Sequence, residues 1–189
     1  ETVIESCKKI SYLFPRAHAV AYVMMAFRIA WFKVYHPLAF YAAYFSIRAK
    51  AFDLRIMTGD LKTQLTEFNR IKALDRAASP KDKDLMSALE VSMEMYQRGY
   101  RFINVDIQHS EARRFSIKDG ALLPPFLAID SLGETVADAI VEERNERPFT
   151  SLKDLQRRCK VSNTIIDLMK DLKCCGELPE DEQMSLFGA

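Results

Sequence analysis

Glycine and proline are scarce in this chain, at six and seven among 189 residues. That argues against a loop-rich or disordered polypeptide and for packed regular elements. Cys7, Cys159, Cys174 and Cys175 do not make two CxxC pairs, and no histidine completes a common zinc spacing. Adjacent Cys174 and Cys175 read instead as small buried apolar residues in a reducing compartment. No apolar run reaches the roughly 18 residues that span a bilayer, because Arg28 and Lys33 interrupt the best candidate. A signal peptide is missing as well, so the expectation is a cytoplasmic chain with no membrane partner. Paired carboxylates at metal-ligand spacing, a Ser-His-Asp set, a glycine-rich phosphate loop and HExxH are all lacking, so no complete active site and no metal site are expected. There is no initiator methionine either, which reads as a piece of a longer protein.

The length suits one large domain or two small ones. A formal charge of +1 conceals an uneven distribution. The first fifty residues carry Lys8, Lys9, Arg16, Arg28, Lys33, Arg48 and Lys50 against Glu1 and Glu5, whereas Glu177, Glu180, Asp181 and Glu182 lie together near the end. A basic front with an acidic tail is compatible with a nucleic-acid partner.

The organising stretch is Phe14 to Pro37, FPRAHAVAYVMMAFRIAWFKVYHP. Apolar residues at Ala19, Tyr22, Val23, Ala26, Phe27, Ala30, Trp31 and Val34 predict a helix opened by Pro15 and stopped by Pro37. A helix so nearly apolar all round is expected to be buried, paired with a second helix over 38–49. A short amphipathic helix over 1–12 precedes it. Beyond a turn at Gly59, residues 61–77 predict a helix with Leu61, Leu65, Phe68, Ile71 and Leu74 on one face. Ser79 and Pro80 predict the start of another, with Leu85, Leu89, Met93 and Tyr96 in a stripe and Gly99 ending it. Residues 100–107 and 112–117 alternate and predict two or three short strands, with a turn at Lys118-Asp119-Gly120. Residues 122–126, LLPPF, read as a connector because of the prolines. The domain boundary is expected near residue 120, with short helices after it.

Three motifs carry chemistry. Leu132-Gly133-Glu134-Thr135-Val136-Ala137 fits a helix-hairpin-helix, in which backbone N–H groups at a helix N-terminus face a DNA phosphate and glycine permits the close approach. An ordinary helix start is the alternative. A weaker copy downstream, Val161-Ser162-Asn163-Thr164, has no glycine, which puts phosphate binding by Ser162 and Asn163 in doubt. In the tail, Gln183-Met184-Ser185-Leu186-Phe187 follows an acidic flexible stretch. Leu186 and Phe187 would each gain roughly 1.5–3 kcal/mol by entering a partner's pocket; folding back on their own domain is the other reading. Finally, Arg16 and His18 at the start of the opening helix suit a triphosphate or a DNA backbone, or are a surface arginine and a packing histidine.

The order SCKKI, FPRAHAVAYVMMAFRIAWFKVYHP, YAAYFSIRA, ASPKDKDL, RGYRFINVDI, LLPPF and QMSLF resembles, colinearly over essentially the whole chain, the C-terminal end of the PolC-type DNA polymerase III alpha subunit of Gram-positive bacteria. The resemblance implies a mainly α fold with a small β element. Residues 1–120 would be part of the polymerase fingers, with Arg16 and His18 toward the incoming dNTP and template. Residues 121–176 would be a tandem helix-hairpin-helix domain binding duplex or primed DNA, with Gly133, Thr135, Ser162 and Asn163 at its hairpins. Residues 177–189 would be a flexible tail docking on the sliding clamp through Gln183, Met184, Leu186 and Phe187. The palm with its Mg2+ would lie elsewhere in the parent enzyme, leaving this piece without catalytic residues and inactive alone. A stand-alone DNA-binding adaptor that recruits a partner through its tail is the alternative.

Overall fold

The computed structural model describes Glu5 and residues 16–181. The expected helix over 1–12, apart from Glu5, and the tail residues Gln183, Met184, Leu186 and Phe187 lie outside the described residues. The fold is mainly α with one two-stranded antiparallel sheet. Helices α1 (Arg16–Tyr35) and α2 (Pro37–Ala43) come first, and a π-helical turn, Tyr44–Arg48, follows. Helices α3 (Leu54–Met57), α4 (Leu61–Leu74) and α5 (Pro80–Gln97) precede the sheet, strands β1 (Ser116–Lys118) and β2 (Ala121–Leu123). Helices α6 (Glu134–Glu146), α7 (Leu152–Cys159) and α8 (Asn163–Asp171) come after it.

The chain divides into two compact units, Glu1–Phe40 and Tyr41–Ala189. The boundary expected near residue 120 instead falls in the turn of the β1–β2 hairpin, at Asp119 and Gly120, whose φ angles of 51° and 73° fit a tight hairpin turn.

Helix α1 corrects the strongest expectation. It forms over the anticipated residues, yet none of them is buried, and Phe27 is 73% exposed. Its apolar side chains surround the whole circumference, so burial needs a covering surface on every side, and the described part of its unit provides none. By length and composition alone it is also long and apolar enough to cross a membrane, since Arg28 and Lys33 do not lower its hydropathy sufficiently. Buried core helices and signal sequences satisfy the same criterion.

In the second unit, caps set the helix starts. Asp53, Asp60 and Ser79 accept hydrogen bonds from the backbone N–H groups of Ile56, Thr63 and Asp82, and Ser79 with Asp82 completes a capping box before Pro80. Gly99, at φ 86°, follows α5 as expected. The buried face of α4 differs from the predicted stripe: Gln64 and Ile71 are buried, whereas Leu61, Leu65 and Leu74 are exposed. Gln64 is satisfied inside, donating to the Met57 carbonyl at 3.1 Å and accepting from Ser92 Oγ at 2.7 Å. On α5 the buried residues are Leu85, Ala88, Leu89, Ser92 and Met95.

Most of the strand pattern over 100–107 spends its hydrogen bonds elsewhere. Phe102 makes one isolated bridge to Leu122, while Ile107 N–H donates to the Cys174 carbonyl at 3.0 Å. Leu122 and Leu123, expected in a connector, form the buried β2 strand, which ends at Pro124. One core cluster joins Leu54, Val105 and Ile107 to Phe126, Ile129, Ile140, Leu155, Met169, Cys174 and Cys175. Cys174 and Cys175 are free and buried as expected, Cys159 is free and buried as well, and burial pushes the thiols of Cys159, Cys174 and Cys175 up to about 12, 12 and 11.

Asp154, in the first turn of α7, is 1% exposed. Its carboxylate accepts from Arg147 Nη2 at 3.1 Å, Arg157 Nη2 at 2.9 Å, Arg158 Nη1 at 3.3 Å and Thr150 N–H at 3.3 Å. Arg158 also donates to Glu143 Oε2 at 2.9 Å and lies over the Phe149 ring, so the end of α6 is tied to α7. Burial works to raise the Asp154 pKa, but the Thr150 N–H and the arginines outweigh it and hold the carboxyl below its usual range.

Removing that carboxylate leaves arginines without a counter-charge. Asp154→Ala should lower the unfolding free energy in urea by about 3 kcal/mol. Because the folded pKa lies below the unfolded value of about 3.9, the stabilisation is complete above that pH and is lost as pH falls through the folded pKa. The wild type should therefore lose more stability than Asp154→Asn below about pH 4, and equal acid sensitivity would contradict this role for Asp154.

Candidate nucleic-acid interface

Two hairpins of the second unit repeat the same backbone path. In the first, Ser131 takes a left-handed conformation at φ 63°, Leu132 is buried, and Gly133 caps α6 with φ −77° and ψ 156°. In the second, Lys160 is left-handed at φ 54°, Val161 is buried, and Ser162 caps α8 with φ −71° and ψ 155°. The following hydrogen bonds also match. Val136 and Ala137 N–H groups donate to the Gly133 carbonyl, as Ile165 and Ile166 N–H groups do to that of Ser162. Buried Ala137 and Ile140 correspond in order to Ile166 and Met169. The second copy therefore keeps its geometry although its glycine is gone.

Both tips face outward. Ser131, Gly133, Glu134 and Thr135 are exposed, and so are Lys160, Ser162, Asn163 and Thr164. The first N–H groups of a helix lack carbonyl partners in the preceding turn, so each tip offers donors to an anion. Ser162 Oγ accepts from the Ile165 N–H at 3.4 Å, and Asn163 Oδ1 accepts from Gln156 Nε2. Gly133 is not required by the fold. Its φ is ordinary, and a Cβ built on it meets nothing within 4 Å. The missing side chain instead leaves the front of α6 open to a close backbone approach.

The two tips differ in charge. Glu134 begins α6, where its carboxylate meets Arg113 Nη1 at 2.5 Å, while Asp138 one turn on accepts from Arg113 Nε at 3.0 Å and from Nη2. The hydrogen bonds to Arg113 and its charge hold the Asp138 carboxyl low, and the same contacts raise the Arg113 guanidinium above its ordinary value. At the second tip Asn163 stands in the place of Glu134, Asp167 in that of Asp138 and Lys160 in that of Ser131. The second tip thus carries one carboxylate fewer at the start of its helix and one more cation. Lys160 and Arg113 were missed in the sequence because only the left-handed turn and the long-range pairing give them a place in the site.

The described part of the acidic stretch after α8, through Asp181, is docked on the preceding helices. Leu152 and Lys153 N–H groups donate to the Pro179 and Glu180 carbonyls, Lys170 pairs with Glu180 at 2.7 Å, and Lys153 pairs with Asp181 at 2.5 Å. Arg16 and His18 lie exposed in the first turn of α1, in the other compact unit, where the His18 ring meets Tyr22 edge-on at 4.5 Å. Among the described residues, no group of three His, Cys, Asp or Glu side chains is placed to hold a metal ion.

Comparison with known proteins agrees with the hairpin geometry. The family described as a helix-hairpin-helix motif matches residues 99–183. The chain is 48% identical over 184 residues to DNA polymerase III PolC-type of Caldanaerobacter subterraneus subsp. tengcongensis, covering 97% of this chain and 13% of that protein. It is 46% identical over 187 residues to DNA polymerase III PolC-type of Streptococcus pyogenes serotype M12 (strain MGAS2096), and 48% identical over 186 residues to that of Streptococcus suis (strain 98HAH33), with the same coverage. The chain thus spans about an eighth of the length of these relatives.

Because the Gly133 backbone is unstrained and open, Gly133→Ala should change the unfolding free energy by no more than about 1 kcal/mol, the usual difference between glycine and alanine at an N-cap. A larger loss in urea unfolding would show that the glycine serves internal packing.

Proposed function

This chain is homologous along nearly its whole length to a segment of PolC-type DNA polymerase III, and from that premise we propose that it is a C-terminal piece of a bacterial replicative DNA polymerase that grips duplex DNA. The observation that carries the proposal is the pair of matching hairpin tips, within a segment matching the helix-hairpin-helix family. Each tip places helix N-terminal donors at a phosphate without reading a base, which suits an enzyme that must hold any sequence. Asp154 and its arginines hold α6 and α7 together behind the tips. Lys160 strengthens the second contact, while Glu134 at the first is neutralised by Arg113.

Residues 1–120 are assigned to the fingers of that polymerase, with Arg16 and His18 toward the incoming dNTP and template. The bareness of α1 supports this reading: a helix apolar on every side needs a surrounding surface, and the relatives contain far more polypeptide than this chain spans. The assignment makes the parent protein a cytoplasmic nucleotidyltransferase and makes α1 a packing helix rather than a membrane span. Magnesium chemistry is assigned to polypeptide outside this chain, which would not incorporate nucleotides alone.

Gln183, Met184, Leu186 and Phe187 are assigned to docking on a sliding clamp. The docking of residues 178–181 on α7 and α8 leaves that peptide only a few residues from a fixed point. Clamp capture would therefore hold the hairpin domain close to the ring.

Affinity for primed duplex should fall steeply as salt rises, and Lys160→Ala should reduce the slope of log affinity against log salt by about one. An unchanged slope would remove Lys160 from the phosphate contacts, and absence of duplex binding would remove the hairpin reading. Replacing Leu186 and Phe187 with alanine should abolish retention on immobilised clamp and leave duplex affinity unchanged. Persistence of clamp retention would show that the tail is not the docking peptide.

A further inference from the structure

Beside the first hairpin is a cleft of about 200 Å³, lined in part by Phe45, Phe52, Phe115 and Leu127, with Lys50 and Arg113 among its lining residues. That is below the usual range of drug-sized sites, so it suits a single flat ring rather than a larger ligand. The rings brace one another: Phe52 and Phe115 meet at 5.0 Å and 67°, and each packs against buried Phe45, at 6.1 and 5.7 Å. Phe52 and Phe115 are only half-buried, so part of this aromatic wall remains uncovered. Ala49, Ala51 and Ala128 keep the remaining walls low.

Arg113 gives the cleft its character. Its guanidinium is pinned by Asp138 and Glu134, so its charge is largely compensated and its plane is fixed. A guanidinium held in this way offers a flat stacking surface rather than a free phosphate ligand. Lys50, exposed among the lining residues, supplies an attraction for an anionic backbone. Ring edges and faces, a fixed planar cation and one lysine suit a flat heterocycle carried on a phosphate chain. Through Glu134 the cleft also adjoins the residue that opens α6, immediately after Gly133.

We propose that the cleft formed by Phe52, Phe115 and Arg113 takes one unstacked base of a single strand that continues from the duplex held by the hairpins; this deepens the hairpin reading and rests on it for the duplex. The strand enters past Lys50 and its base lies against the aromatic wall, without base-specific hydrogen bonding.

The test compares blunt duplex, the same duplex with an unpaired extension, and an unpaired oligonucleotide carrying 2-aminopurine, using the full chain. The extension should tighten binding about tenfold, and the 2-aminopurine fluorescence should change on binding. Ala51→Phe, which fills the cleft, and Phe52→Leu, which removes a wall and lowers the thermal midpoint because Phe52 packs on the core, should erase both effects in the folded protein while leaving blunt-duplex affinity unchanged. The surface variant Lys50→Ala should weaken the extension effect without touching the packed rings. If blunt duplex does not bind but the oligonucleotide signal appears and Ala51→Phe removes it, the hairpin reading fails and the cleft assignment stands. Full preference for the extension in folded Ala51→Phe and Phe52→Leu variants overturns the proposal. So does a cleft that admits a tryptophan-containing peptide and not the base.

Discussion

A buried carboxylate among three arginines organises the hairpin face of this chain. Asp154 is shielded from water, and a lone charge there would be untenable without Arg147, Arg157, Arg158 and the Thr150 N–H around it. Because Arg158 also reaches Glu143 on α6, satisfying one charge fixes two helices relative to each other. The exposed tips depend on that constraint. Phosphate contacts through backbone N–H groups have short reach and fixed direction, so two of them serve one duplex only if the helices behind them do not shift.

Much of this fold was legible in the sequence where the signal is local. Ser79 before Pro80, Gly99 after α5, and Ser162 before the last helix act through bonds three or four residues long, and all lie where their chemistry suggests. The repeated hairpin was also visible as a pattern, although the loss of its glycine hid how faithfully the backbone repeats. Residues that depend on distant partners were not legible. Nothing in the heptad-like spacing of α4 says that Gln64 turns inward to meet Ser92 while Leu65 stays out. Arg113 reaches a helix that begins more than twenty residues later, and only folding brings Phe52 to Phe115.

Helix α1 shows where a correct local reading leads to the wrong environment. Periodicity and the flanking prolines placed the helix, and its composition argued for burial, yet none of its residues is buried in this chain. Composition reports what a helix needs, not what the polypeptide at hand supplies. The same surface that would be a liability on a free domain is consistent with a piece that spans about an eighth of its relatives. The acidic segment before the tail shows the converse. Its described part, through Asp181, is held by Lys153 and Lys170 and by two backbone hydrogen bonds.

The central claim is that both hairpins hold one duplex at once. Amide hydrogen exchange of the chain with and without duplex DNA reads each tip separately. Slowed exchange should appear together over Gly133–Thr135 and Ser162–Thr164, with equal dependence on DNA concentration and loss at high salt. Protection confined to one tip, or found only away from both, would refute the two-site grip.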